Sequence, residues 1–220
     1  MGGDARRRWL TRLQDGWRYV RRHGVRATAR SLFHHYVYRS HRFIVTRATL
    51  AGPPAASRVG EIVFRLATPS DLDRLDELDR YGRGARHRFY VEEDGDWLFV
   101  ACHGERIVAT RRYSRTLPGP SKDGHGLTAR VVRLEPDQVW AADTFCLPEY
   151  RGHRVAFLLG VFARRYLASL GYRQNLSSIA VDNTSSLRMQ SRSGSERILY
   201  VSYLRILFYE RLRVSREIPV

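Results

Sequence analysis

A mixed α/β sheet behind a basic helical extension is the fold class this sequence predicts, and three observations predict it. From residue 61 to residue 209, apolar runs with strand character alternate with runs of helical period. A linker, "AGPPAAS" at 51–57, separates that region from what precedes it. Charge divides at the same place: of a formal net charge of +16, residues 1–60 supply +11, from 13 Arg against Asp4 and Asp15.

The extension reads as two short amphipathic helices. Trp9, Leu10, Leu13, Trp17 and Val20 share one arc, with Arg8, Arg12, Arg18, Arg21 and Arg22 outside it, and Gly24 breaks the pattern. Val25, Ala29, Leu32, Phe33 and Tyr36 form a second stripe that ends near Arg39. The stretch 41–50, "HRFIVTRATL", alternates poorly yet is rich in β-formers; it is grouped with the extension, which is drawn as residues 1–50 with a linker over 51–60.

A strand is expected at 61–67. A helix follows over 68–79, with Ser70 as its N-cap and Leu72, Leu75 and Leu78 as its stripe, and a second helix covers 84–92. The run "WLFVACHGERIVATRRYSR" is a hairpin turning at His103-Gly104, with His103 and Glu105 read as ordinary turn residues. After a loop at 117–126, strands are expected at 128–134 and 138–147. A helix at 153–171 carries Val155, Leu159, Phe162, Tyr166 and Leu170 on one face. A buried strand at 175–181, a helix at 183–194 and one long strand or bent pair at 197–209 complete the domain, drawn as 61–212 with a tail at 213–220.

Composition narrows the function classes. A hydrophobic content of 43% supports a packed core. Two cysteines, Cys102 and Cys146, without a CxxC pair exclude a disulfide scaffold and a cysteine zinc site. The eight His show no metal-ligand spacing, so no metal is expected. With no apolar run long enough to span a bilayer and no secretory leader, a cytoplasmic protein is expected. Lys122 is the sole lysine, so the basicity is nearly all arginine and reflects composition as much as function.

The stretches "CLPEYRGHRVA" (146–156) and "DNTSSLRMQSRSG" (182–194) together resemble the GNAT superfamily of N-acyltransferases, and the resemblance runs from about residue 61 to about 209. The family shows R/Q-x-x-G-x-G/A entering a helix, then N-x-x-[SA] with a glycine eight residues later. Arg151, Gly152, Val155 and Ala156 match the first pattern; Asn183, Ser186 and Gly194 match the second. The resemblance implies a mostly antiparallel sheet flanked by helices, acetyl-CoA or another acyl-CoA as co-substrate, and direct transfer to a primary amine. It implies cofactor contacts at Phe145, Cys146 and Leu147 on a splayed strand end, at Arg151, Gly152, His153, Arg154, Val155 and Ala156 at a helix N-terminus, and at Asn183 and Ser186. Amides at a helix N-terminus suit a pyrophosphate through direct hydrogen bonds and the helix dipole.

Three positions depart from the family pattern. Arg154 stands where a second glycine is usual, and its guanidinium either adds a phosphate contact or points to solvent. Gln190 stands where many members have an acidic tyrosine, and Ser195 replaces an aromatic. Asp143 is the expected catalytic carboxylate, serving as base or as a structural strand residue; Tyr113, His125 and Glu92 are weaker alternatives. Two further readings stay open: a non-catalytic module of the same fold acting as an adaptor, and a long-chain N-acyl amino acid or autoinducer-type synthase, which "RHRFYVEEDGDW" (86–97) loosely resembles. Residues 1–50 either pack as extra core, lie on an anionic membrane through residues 1–40, or bind nucleic acid or another acidic partner.

Overall fold

The computed structural model describes residues 24–26, 38–51, 56–75, 78, 84–117 and 125–217. Apart from a helical turn at 24–26, the two amphipathic helices of the extension lie outside the described residues, as does most of the 117–126 loop. The chain divides into two compact units, one running from Phe43 to Val201 and resuming at Val214, the other holding the residues up to Arg42 together with Ser202–Arg213.

Among the described residues there are nine strands: β1 (Tyr38–Thr49), β2 (Arg58–Val59), β3 (Ile62–Leu66), β4 (Trp97–His103), β5 (Arg106–Ser114), β6 (Gln138–Cys146), β7 (Gln174–Ala180), β8 (Glu196–Ile206) and β9 (Tyr209–Ser215). Among the described residues the helices that accompany them are α1 (Pro69–Arg74), α2 (Gly84–Glu92), α3 (Val155–Ser169) and α4 (Thr184–Arg192). The strand order is β2-β3-β4-β5-β6-β7-β1-β8-β9. β3–β4, β4–β5, β5–β6 and β1–β7 pair antiparallel, whereas β6–β7 is parallel.

The central strands are covered on both faces. β4 is buried from Leu98 to Cys102 and β5 from Ile107 to Ser114. On one face α2 reaches Thr110, whose hydroxyl bonds the His87 ring at 3.0 Å. On the other, Phe162 and Tyr166 of α3 meet Phe99 edge-on, with ring centroids 6.2 and 5.4 Å apart. This two-sided cover explains why β4 reads as a near-continuous apolar run rather than as an alternating one.

The largest departure from expectation is β1. Residues 38–49 are not part of a helical extension; they form a strand set between β7 and β8. Phe43 to Thr49 pair antiparallel with Ala180 to Gln174. Phe43, Ile44 and Val45 are buried in consecutive positions, so both faces of this strand are covered and the alternation expected of a half-buried strand is missing. A buried hydroxyl pair, Thr46 to Ser177 at 2.7 Å, adds a polar rivet to the β1–β7 ladder.

Smaller corrections have local causes. The first helix is capped by Thr68, not Ser70: the Thr68 N–H donates to Asp71 at 2.7 Å and its hydroxyl to the same oxygen at 2.8 Å. Leu72, Leu75 and Leu78 are buried as the stripe required. The segment 128–134 is not a strand. His125–Arg130 is a 3-10 turn, and the N–H groups of Val131 and Val132 fold back onto the Thr128 carbonyl at 3.0 and 2.9 Å. The C-terminal run is two strands, broken at Leu207, which takes φ 52; β9 extends to Ser215, into the expected tail.

Two consequences are measurable. Removing residues 1–50 deletes a central strand, and the remaining chain is expected to lose its cooperative unfolding transition by calorimetry; the milder Val45→Asp variant should cost at least about 3 kcal/mol. Asp71 supplies the second. Burial alone would raise its carboxyl, but the Arg65 hydrogen bonds and the two Thr68 donors outweigh burial and hold it down at about 2. A depressed folded pKa stabilises above the unfolded value and is lost as pH falls through the folded one. Asp71→Asn should therefore cost about 1–2 kcal/mol at pH 7, with the deficit closing between pH 4 and 2 in denaturant titrations.

Candidate functional site

The site begins where two strands part. β6 and β7 are registered only at Gln138↔Gln174, Val139↔Asn175 and Trp140↔Leu176. β6 then continues to Cys146 and β7 to Ala180, each held by its other neighbour: β5 pairs with Cys146 and Phe145, and β1 with Ile179 and Ala180. A slot therefore opens between the strands beyond Trp140. Arg164 of α3 donates to the Ser193 carbonyl just beyond α4 at 3.3 Å, linking the two helices that accompany the slot.

At the outer end of the slot lies 148–156. Pro148–Tyr150 form a 3-10 turn, and the Arg151 N–H donates to the Pro148 carbonyl at 3.1 Å. Arg151 also turns its side chain back, its Nε donating to the Cys146 carbonyl at 3.1 Å. Gly152 has φ +84 with open space where a Cβ would stand. Helix α3 then starts with Arg154 as N-cap, in the left-handed region at φ 61 and with no side-chain hydrogen bond to the helix. The first helical bond runs from Leu158 N–H to the Arg154 carbonyl at 2.9 Å, so the amides of Val155, Ala156 and Phe157 precede any intrahelical acceptor. Residues 151–154 are all exposed. The Arg154 backbone thus adopts a conformation that glycine takes without strain, and its guanidinium caps nothing in the helix.

The strand-end contacts divide. Leu147 is buried and its N–H donates to Val108 at 2.9 Å, so that amide belongs to the β5 side and is not available in the slot. Phe145 is buried, and Cys146 is half-buried. Burial pushes the Cys146 thiol up, against the opposing pull of Arg151 and the Ala156 amide, which does not favour a thiolate nucleophile.

On α4, Asn183 is the N-cap. Its Oδ1 accepts from the Ser186 N–H at 3.1 Å and from the Ser185 hydroxyl at 3.0 Å. Capping thereby accounts for Asn183 in the N-x-x-S pattern. Gln190, on the last turn, is buried: Nε2 donates to Ser177 at 3.3 Å, and Oε1 accepts from Ser195 at 2.6 Å and Ser193 at 3.3 Å. Ser177 is the residue at which β7 leaves β6, so this amide anchors α4 to the inner end of the slot. Asp143 sits on β6 within the parted stretch, with Oδ2 sealed from solvent. Of the alternatives, Tyr113 is fully buried, Glu92 is exposed at the end of α2, and His125 opens the 3-10 turn.

Two features were not read from sequence. The first is Arg111, only 6% exposed, lying against Gly160 of α3 so closely that a Cβ there would stand 2.5 Å from its Nη1. A glycine inside a helix whose apolar face is otherwise continuous was the available signal. The second is a relay: His103 bonds Glu61 through Nε2 at 2.6 Å and Tyr150 through Nδ1 at 2.7 Å. These three line a pocket of about 350 Å³ with His153, Val155 and Leu158. His103 is therefore more than a turn residue.

No family model matches the chain, and no curated protein matches it in sequence. Solved structures do match in fold. A GCN5-related N-acetyltransferase from Sphaerobacter thermophilus superposes with a TM-score of 0.53 at 19% identity, over 94% of this chain and 69% of that one. A GNAT-family protein from Novosphingobium aromaticivorans gives 0.52 at 14% identity, over 82% and 66%. AAC(6′)-Iy in complex with the bisubstrate analogue CoA-S-monomethyl-acetylneamine gives 0.50 at 18% identity, over 69% and 99%. The chain spans 57–69% of the length of four of the solved structures that it matches, the Sphaerobacter and Novosphingobium proteins among them. The fold is that of the GNAT superfamily, as the resemblance in sequence implied.

Arg154 yields a test of the loop. A left-handed conformation costs a residue with a Cβ roughly 1–2 kcal/mol that glycine does not incur, offset in part by glycine's greater freedom in the unfolded chain. Arg154→Gly should therefore raise stability by about 0.5–1 kcal/mol in denaturant unfolding.

Proposed function

We propose that this chain is an acyl-CoA-dependent N-acyltransferase that moves an acyl group, acetyl in the simplest case, directly from a thioester to a primary amine. The observation that carries the proposal is the slot opened where β6 and β7 part, with the first-turn amides of α3, which the Arg154 side chain leaves uncapped, at its outer end. Those amides, in an exposed loop with a left-handed Gly152 and Arg154, suit a pyrophosphate, and the arginines of the loop supply matching charge. The parted edges of β6 and β7 accept an extended amide-bearing arm between them, in the manner of an added strand.

In this reading Asp143 takes the proton of the acceptor ammonium, directly or through water, so that a neutral amine attacks the thioester carbonyl. A new C–N bond forms as the C–S bond breaks, and the amine's second proton ends on the departing sulfur. Gln190 lacks an acidic proton and its carboxamide is committed to Ser177, Ser193 and Ser195, so its role is to position α4. Proton delivery to sulfur then falls to water. Rate enhancement rests on proximity of the two reactants.

The commitment of Gln190 favours one second reading: a module of the same fold that holds the thioester and serves as an adaptor. No described helix is long and apolar enough to cross a membrane. Contact of residues 1–40 with an anionic membrane or a nucleic acid stays a separate proposal about the extension.

Thermal unfolding with acetyl-, butyryl- and octanoyl-CoA is the test. Stabilisation of several degrees at saturating thioester is expected, and its absence across the series overturns the proposal. Gly152→Asp should weaken binding at least tenfold, because it places a strained, negative side chain beside the phosphates. Release of free thiol with a panel of amines separates the enzyme from the adaptor.

A further inference from the structure

Among the described residues two arginines are buried, Arg111 and Arg112, and only the second is paired with a carboxylate. Arg112 is buried with Asp96 and stacks on Tyr90, its guanidinium carbon 3.8 Å from the ring centroid. Arg65 holds the buried Asp71. Arg111, one residue before Arg112 on β5, faces the opposite side of the strand, toward α3. It is as buried as Arg112, and among the described residues no carboxylate pairs with it. Its Nε is sealed from solvent and bonded to nothing.

Tyr113 shares this state, and the half-buried Arg164 lies beside both. The Tyr113 hydroxyl is fully buried without a hydrogen bond, and the Arg111 guanidinium lies 5.3 Å from the Tyr113 ring centroid. Arg164 of α3 lies close enough for both to act on it: burial lowers its pKa, Tyr113 opposes that shift and the charges of Arg111 and Arg165 add to it. Its one recorded acceptor is the neutral Ser193 carbonyl. Gly160 creates the room, since a side chain there would collide with the Arg111 guanidinium. With the Arg111 Nε and the Tyr113 hydroxyl unmet, and no carboxylate among the described residues paired with either guanidinium, the cluster is costly unless an anion joins it.

We infer that Arg111, Arg164 and Tyr113 form a carboxylate receptor at the inner end of the slot, and that the thioester donor carries a free terminal carboxylate, as a dicarboxylic acyl-CoA does. The inference rests on the acyl-CoA reading above. Location selects the acyl end over the phosphates. Tyr113 pairs with Ala141, the residue after the last β6–β7 pair, and Arg111 pairs with Thr144 inside the parted stretch. Arg164 is nine residues beyond Val155, or roughly 13–14 Å along the helix from the amides suited to pyrophosphate. A bidentate guanidinium contact is the geometry a carboxylate prefers.

Isothermal titration of the whole chain with CoA, acetyl-CoA and succinyl-CoA provides the test. Succinyl-CoA should bind at least tenfold more tightly than acetyl-CoA, and Arg111→Met should bring it down to the acetyl-CoA level while leaving CoA itself unchanged. Equal affinity for the two thioesters in the wild-type protein overturns the receptor and leaves the acyl-CoA reading standing. An equal loss for CoA and both thioesters in Arg111→Met also overturns it, since the arginine would then serve the phosphates. If Arg111→Met does not fold, Gly160→Ala, which crowds the guanidinium, must reduce the succinyl preference. If no thioester binds, the acyl-CoA reading fails. The receptor is then decided by whether succinate stabilises the wild-type protein more than neutral succinamide does, and the absence of that difference overturns it too.

Discussion

Everything in the slot follows from a pair of strands that stop pairing. β6 and β7 share three registered positions and then separate, which strands cannot do without leaving backbone groups unmet unless each has another neighbour. β5 supplies that neighbour for β6, and β1 supplies it for β7. The antiparallel ladder from Phe43 to Thr49 therefore does more than extend the sheet, because it keeps β7 in place after β7 has left β6. Gln190 and Ser177 mark the point of departure, tying α4 to the first residue of the opening.

The arginines show how one side chain serves several ends according to its surroundings. Arg65 and Arg112 meet buried carboxylates, Arg151 turns back onto its own loop, and Arg111 stands over a glycine with no acid paired to it among the described residues. A composition biased toward arginine made these residues look alike in the sequence. Burial and the identity of the nearest acceptor distinguish them.

Local pattern revealed much of the fold. The hairpin at 97–114, the long helix at 155–169 and the capped helix after Asn183 were legible because their signals lie within a turn or two of each other. β1 was not, since three consecutive buried residues carry no period and its ladder partner lies more than 130 residues away. The 128–131 turn was misread because Thr128, Val131 and Val132 are β-formers whose backbone closes locally. In the site, the Gly152–Arg154 loop ahead of α3 and the Asn183 cap were visible as motifs. The Arg111–Gly160 approach and the Glu61–His103–Tyr150 relay were not, because each joins elements that only the tertiary fold brings together.

The place of β1 also bears on how the chain is made. Of the nine strands it is the first to leave the ribosome, yet both of its neighbours in the sheet, β7 and β8, come after residue 173. Its run of Phe43, Ile44 and Val45 must wait through the synthesis of more than 120 residues, about ten seconds or more at ordinary elongation rates. During that interval the sheet can be built only as far as β6, and an unpaired apolar strand lies open to other chains. The basic residues that flank it, Arg39, Arg42 and Arg47, are the kind of charges that keep such a strand from pairing too early.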